Sequence, residues 1–391
     1  MVKKYAFFLF LGTVLTSCEK EEILVEKEFP IITVDASDKI ETIENSGDPV
    51  FNWIDGQQSA SGLLASSENH DFVSLYDNAL AAILFTKQKE LQKAEEILDF
   101  FELKATIEFE IQSGGFYQFR DVNGENGSRK WLGDNAWLLI AINHYHAESN
   151  TIKFKSLADK LENWIRGLQD DDGGLFGGQN EDGSTIPKVT EGIMTAYNAI
   201  PGYDDFHKNI LRYLKENRWD VKLHNLNAWP ENKTYKNALD VLSISQGVFT
   251  DFPAQSLQAA DALFLTSQIA TLSGDEILGY CFDEDKDVIW LEGTAQMAVA
   301  LQTIGETAKS KKLLAQIEKT FIQGFTTANT KGIPYVSNYG TNYGANPLWD
   351  HADITPALSS TIWYLFAQID FNPFLLGKEK NIPDNDKFWL L

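Results

Sequence analysis

Residues 131–142 read WLGDNAWLLIAI, and residues 74–85 read SLYDNALAAILF. Each is an apolar run headed by an acid–amide pair, Asp134-Asn135 or Asp77-Asn78. Both are apolar nearly all round, as expected of a helix buried on every side rather than one lying on a surface. An acid in the first turn is favoured by the positive end of the helix dipole, so one such case carries little weight. The pattern recurs, however: Glu191 heads TEGIMTAYNAI, Asp240 sits in ALDVLSISQGVF, Glu292 in LEGTAQMAVAL, and Asp353 opens DITPALSSTIWYLFAQ. Asp77, Asp134 and Glu191 fall 57 residues apart (134 − 77 and 191 − 134), and the later intervals are 49, 52 and 61. A repeat of that length across most of a chain predicts one large unit built from similar modules. Acids in register predict that the helix heads converge on a single acidic pocket.

Between the buried runs lie amphipathic ones: Gln88–Leu103, Ser156–Leu168, Asp205–Lys215, Pro253–Ala270 and Ala308–Phe321. One apolar stripe and one charged face place these on the outside. The alternation predicts an all-α fold, an (α/α)6 toroid with an inner and an outer ring. Short β-hairpins are expected in the Gly- and aromatic-rich mouth loops, such as DDDGGLFGGQNEDGS (170–184) and GIPYVSNYGTNYGANPLWDH (332–351). The last inner helix has no evident outer partner in FNPFLLGKEKNIPDNDKFWLL, so Ala36–Glu44 is expected to close the outer ring.

The chain has 391 residues, 43% of them hydrophobic, and a formal net charge of −23. That balance argues against a nucleic-acid partner, which needs a basic face. At the N-terminus Lys3 and Lys4 precede the apolar run Tyr5–Leu15, and small residues follow, as in a secretory signal. The tetrad Leu15-Thr16-Ser17-Cys18 resembles the bacterial lipobox, whose cysteine is lipidated after cleavage. Glu19-Lys20-Glu21-Glu22 resembles the acidic export signal of surface lipoproteins in Bacteroidetes-type bacteria. The expected organisation is a signal peptide over 1–17, a lipidated tether over 18–48 and the toroid over 49–391. The protein would then be exported and anchored to the outer membrane through its N-terminal lipid alone, with surface display implied by the acidic signal. Lipidation of Cys18 leaves Cys281 as the one remaining thiol, so no internal disulfide is expected. Nothing in the sequence marks an oligomeric state.

The inner-helix segments, together with STIWYLFAQIDFNPF (360–374), resemble the six-hairpin (α/α)6 glycosidase superfamily over roughly residues 60–375. The resemblance implies a carbohydrate cleft at the inner-helix heads, lined by Asp77, Asp134, Glu191, Asp240 and Glu292, and hydrolysis by two carboxylates. Glycoside cleavage needs one acid to protonate the leaving oxygen and one carboxylate to activate water or attack carbon. Glu191 and Glu292 are taken as the catalytic pair, since each is the longer acid and each precedes a glycine, Gly192 or Gly293, that would let substrate approach the backbone. Asp77, Asp134 and Asp240 would bind sugar hydroxyls, with helix capping as the structural alternative. Among the aromatics Trp290, Tyr339 and Trp349 are the stacking candidates, whereas Trp137 and Trp363 read as core. Asp350 and His351 adjoin them as substrate-binding candidates.

No cofactor and no metal is expected. The acids at Asp170–Asp172 and Asn180–Gly183 lack full EF-hand spacing. LQDDDGGLFGG (168–178) resembles the Gly-Gly turns of terpenoid cyclases, but it occurs once clearly and the cyclase acid motif is not evident. Two alternatives to hydrolysis stay open: a polysaccharide lyase, and a glycan-binding or scaffold lipoprotein without chemistry.

Overall fold

The computed structural model describes residues 47–390, apart from 113, 233–234, 340–341, 344–345 and 348–349. The signal segment, Cys18, the segment Ala36–Glu44 and Trp349 therefore lie outside the described residues.

Among the described residues thirteen α-helices follow one another: α1 (Pro49–Asp55), α2 (Leu75–Lys87), α3 (Leu91–Glu108), α4 (Leu132–Ser149), α5 (Lys155–Gly167), α6 (Thr190–Ala199), α7 (Asp205–Asn217), α8 (Leu239–Val248), α9 (Gln255–Phe264), α10 (Leu291–Thr303), α11 (Thr307–Ile317), α12 (Leu358–Gln368) and α13 (Leu375–Lys378). The even-numbered helices form the inner ring. Each packs on the next, and α12 packs back on α2 to close the circle. Every described residue of α6 and α8 is buried, whereas α5 buries only Leu157, Leu161 and Ile165 along one stripe. The fold is the all-α toroid, and among the described residues no helix is long and apolar enough to cross a membrane.

One hydrogen bond per sector fixes the order of the ring. The first backbone N–H of each inner helix has no partner inside its own helix. Here it donates instead to a carbonyl in the loop leading to the next inner helix. The six bonds are Leu75 to Gln118, Leu132 to Gly177, Thr190 to Ala228, Leu239 to Phe282, Leu291 to Tyr335 and Leu358 to Ser66, at 2.7–3.1 Å. The sixth returns to the first sector, so the circuit is closed. It also places all six inner N-termini at one end of the ring.

A second repeated device ties four of the six sectors to their own loops. Asn78, Asn135, Thr294 and Thr361 occupy the fourth helical position of α2, α4, α10 and α12. Their side-chain oxygens accept the N–H groups of Leu64, Phe116, Tyr280 and Ile333 at 2.7–3.0 Å. Each also donates to the carbonyl four residues back.

Three expectations change. The outer ring closes with α1, which packs on α12. Asp48 caps that helix through Val50 N–H at 2.7 Å and Pro49 starts it. The tail after α12 folds instead across the far ends of the inner helices, where Lys378 and Lys380 donate to the carbonyls of Gln246 and Ile200. The helix expected over Pro253–Ala270 stops at Phe264, because Leu265–Ile269 pairs antiparallel with Glu276–Tyr280 as a strand. Finally, Asp353 does not head the sixth inner helix; it lies five residues before Leu358, in a turn, accepting from Thr271 Oγ1 at 2.6 Å.

Two strand pairs join neighbouring loops, Phe72–Ser74 with Phe119–Asp121 and Lys130–Trp131 with Gly178–Gln179, while the other pairs among the described residues lie within one loop, as in the expected hairpin of Gly178–Gln179 with Thr185–Ile186. The Gly-Gly turn at 169–175 has a structural twin at 58–64. Gln169 and Gln58 each bond the glycine carbonyl of their own turn and a carbonyl near the start of the next outer helix, Phe206 or Lys93. This turn fastens outer helices to the ring.

Candidate active site at the inner-helix heads

Five carboxylates stand in the first turns of five successive inner helices, and all are buried: Asp77, Asp134, Glu191, Asp240 and Glu292. They occupy two registers. Asp77 and Asp134 are third helical residues, whereas Glu191, Asp240 and Glu292 are second. The second position is filled by Tyr76 in α2 and by Ser359 in α12. Both belong to the site, and aligning the leucines that begin these helices would have shown it.

Tyr76 and Ser359 converge on Glu292. Tyr76 OH donates to Glu292 Oε1 at 2.7 Å, Gln296 Nε2 to the same oxygen at 3.1 Å, and Ser359 Oγ to Oε2 at 2.8 Å. Trp363 Nε1–H donates in turn to Tyr76 OH at 2.7 Å. The ring of Trp137 meets Tyr76 edge-on at 5.1 Å and Trp363 at 6.4 Å. Side chains from α2, α4, α10 and α12 thus meet across the axis, and Trp137 and Trp363 are core, as read. Burial and the charge of Glu292 push the Tyr76 phenol well above its ordinary range, so it remains a donor to that carboxylate.

On the α2–α4 side, Gln118 Nε2 donates to Asp134 Oδ1 at 3.3 Å. Arg129 Nε donates to Gln118 Oε1 at 2.6 Å, and its guanidinium lies 4.7 Å from the Trp131 ring. Asp77 is the perturbed acid. Burial raises it most, a hydrogen bond from Ser66 opposes, and the charge of Asp134 raises it further, to about 7. Burial does most to keep the proton on Asp77, and the charge of Asp134 adds to it. Glu191 Oε1 accepts from Thr195 Oγ1 at 2.8 Å, and Asp240 Oδ1 from its neighbour's N–H, Val241, at 2.7 Å.

The expected glycines serve packing. A Cβ on Gly192 would sit 3.4 Å from Gly133 N, so α6 and α4 approach backbone to backbone there. A Cβ on Gly293 would fall 2.1 Å from the Trp290 ring. Trp290 is itself fully buried, 5.4 Å from Phe282, and its face covers Gly293 rather than an open cleft. Of the aromatic candidates, Tyr339 is 62% exposed and donates to Asp350 Oδ1 at 3.0 Å. His351 is exposed in a left-handed turn at φ 70° beside it. Asp170 and Asp172 are paired with Lys188 at 2.6 and 2.8 Å, and Asp182 with Ser184, so these acids hold their own loops.

Solved structures share this fold. An alpha-amylase from Clostridium perfringens superposes with a TM-score of 0.58 at 12% identity, covering 82% of this chain and 96% of its own. A sugar epimerase from a ruminal bacterium gives 0.57 at 13%, covering 83% and 96%. A D-mannose isomerase gives 0.58 at 10%, covering 82% and 95%. Structures titled glycosidase, one in complex with glucose, give 0.55–0.56 at 13%. No protein-family model and no curated protein sequence matches the chain. Identities this low speak for the fold alone.

Proposed function

We propose that the protein is a carbohydrate-acting enzyme, a glycoside hydrolase working by general acid/base catalysis at the inner-helix heads. One observation carries the reading: five buried carboxylates ring one end of the toroid, and Asp77 there holds a proton up to about pH 7 beside Asp134. A carboxyl group that keeps its proton near neutrality, with further carboxylates in the same site, is what protonation of a glycosidic oxygen requires. The names of the structural neighbours (glycosidase, amylase, epimerase, isomerase) support sugar as the substrate class. Asp77 is assigned as proton donor. With Asp77 as acid, the second carboxylate is proposed from the sequence pair Glu191 and Glu292, the latter held in place by Tyr76, Gln296 and Ser359.

The test is a panel of oligo- and polysaccharides assayed with the full chain, reading both reducing-end release and isomer formation. Asp77→Asn, Asp134→Asn, Glu191→Gln and Glu292→Gln should each lower hydrolysis by roughly 10²- to 10⁴-fold, the usual worth of a general acid or base. Isomer formation without hydrolysis would move the protein to a different reaction, and unchanged turnover in all four variants would remove the carboxylates from catalysis.

A second reading, a glycan-binding protein without chemistry, has one observation in its favour. Both oxygens of Glu292 are engaged, and Tyr76, Trp137 and Trp363 meet across the ring axis behind it. Saturable oligosaccharide binding with no product would establish it. Export and lipid anchorage through Cys18 are proposed with either reading. Fatty-acid labelling of the chain in cells that is lost in Cys18→Ala tests them.

A further inference from the structure

The loop between the strand Glu276–Tyr280 and α10 reads Cys281-Phe282-Asp283-Glu284-Asp285-Lys286-Asp287, with sulfur or carboxylate at every second residue. The chain folds so that these groups meet. Cys281 Sγ lies 3.7 Å from Asp283 Oδ1, 3.7 Å from Asp285 Oδ1 and 4.0 Å from Asp287 Oδ1. The ligand atoms of Cys281, Asp283 and Asp285 all fall within 4.8 Å of one another. A thiol carries one proton, so at most one of the three contacts is an S–H···O hydrogen bond. The other two bring sulfur and a carboxylate together without a shared hydrogen.

A second observation comes from another part of the chain. Tyr235 is fully buried, and its hydroxyl has no hydrogen-bond partner among the described residues. Its segment lies against the same loop, where Asn237 Nδ2 donates to Glu284 Oε1 at 2.9 Å, and burial first, then the charges of Asp283 and Asp285, push the phenol above its ordinary range and keep it protonated. A buried hydroxyl left unsatisfied beside a group of carboxylates is placed to orient one of them as a ligand, the usual supporting arrangement around a bound metal.

We infer that this loop is a binding site for a divalent cation, with zinc preferred over calcium. The separations decide the preference. Tetrahedral zinc with Zn–S of about 2.3 Å and Zn–O of about 2.0 Å sets sulfur and oxygen ~3.5 Å apart. The 3.7, 3.7 and 4.0 Å observed need only small side-chain adjustments to meet that. Calcium takes oxygen and would leave the central sulfur out of its shell. On binding, the Cys281 thiol proton passes to solvent as the sulfur–metal bond forms. The site is structural in position. Trp290 N–H closes the loop onto Tyr280 O at 2.9 Å, and Phe282 O receives the first N–H of α8 at 3.0 Å. A cation here would stiffen the junction that aims both α8 and α10.

The test is titration of the full, metal-stripped chain with zinc alone and with calcium alone, followed by calorimetry and thermal unfolding. Cobalt substitution is read for a sulfur-to-metal charge-transfer band. The expected result is one equivalent of zinc, a raised Tm, a cobalt–sulfur band lost in Cys281→Ser, and zinc affinity at least tenfold weaker in Asp285→Asn. Asp285 is exposed, so that variant keeps the test valid should Cys281→Ser fail to fold. No saturable zinc binding, zinc binding unchanged in both variants, or calcium binding indifferent to Cys281→Ser would each overturn the inference. None of these readouts depends on whether the protein cleaves sugar.

Discussion

Asp77 makes a prediction with a definite sign. Its folded pKa of about 7 lies above the ordinary 3.8, so the folded state binds the proton more tightly than the unfolded chain does. The stability this contributes is complete below pH 3.8 and is lost as the pH rises through about 7. Asp77→Asn, which keeps the shape without the charge, should therefore stabilise the fold at pH 8 by up to about 4 kcal/mol and have little effect at pH 4. Denaturant unfolding at the two values checks it. Equal midpoint shifts at pH 4 and pH 8 would mean that Asp77 ionises normally in the folded state. Any hydrolysis that uses Asp77 as acid should decline along the same limb, as pH passes about 7. The acids themselves were legible, because a carboxylate opening a wholly apolar run is rare enough to notice. Their division of labour was not. Tyr76 and Ser359 reach Glu292 from 216 and 67 residues away, which no local pattern shows.

Among the elements, the four clamping residues decide how firmly each loop sits on its helix. Asn135 makes three bonds, to Phe116 N–H and to the carbonyls of Phe116 and Trp131. Asn135→Leu should cost about 3 kcal/mol, from a buried N–H and carbonyl left without partners. The matching positions of α6 and α8 already hold Ile193 and Leu242. A fall in Tm of less than a degree or two would show that the clamp is incidental. Inner and outer helices were readable because their burial differs so sharply that composition alone separates them. Strand Leu265–Ile269 was missed because it continues a helical stretch with no Gly or Pro between them, and its pairing with Glu276–Tyr280 is settled by a partner strand. The closing helix α1 was legible but overlooked, since Asp48-Pro49 is a cap followed by the residue best suited to a first turn. Asp353 was misread because an acid before an apolar run looks alike whether it caps the helix or bonds a distant threonine.

For the molecule as a whole, acid should be the weak side. His144 and His207 are buried and held neutral, down to about 3 and about 4 respectively. The unfolded chain takes up these protons below pH 6.5, so their share of stability is full above that value and drains away toward pH 4. Tm should fall measurably between pH 7 and pH 5, and more steeply in Asp77→Asn, where the opposing acid is gone; a Tm flat across that range would contradict both assignments. Chains ending before α12 should show no cooperative unfolding transition, because the donor for Ser66 O would be missing; a sharp transition in such a truncation would mean the ring stands open without it. The carbonyl of Ser66 waits for the amide of Leu358, 292 residues later (358 − 66). During synthesis, almost the entire polypeptide must therefore leave the ribosome before the first module has its last neighbour. Until then the nascent chain carries an unclosed curve whose first edge has no partner. Release from that state comes in one late step.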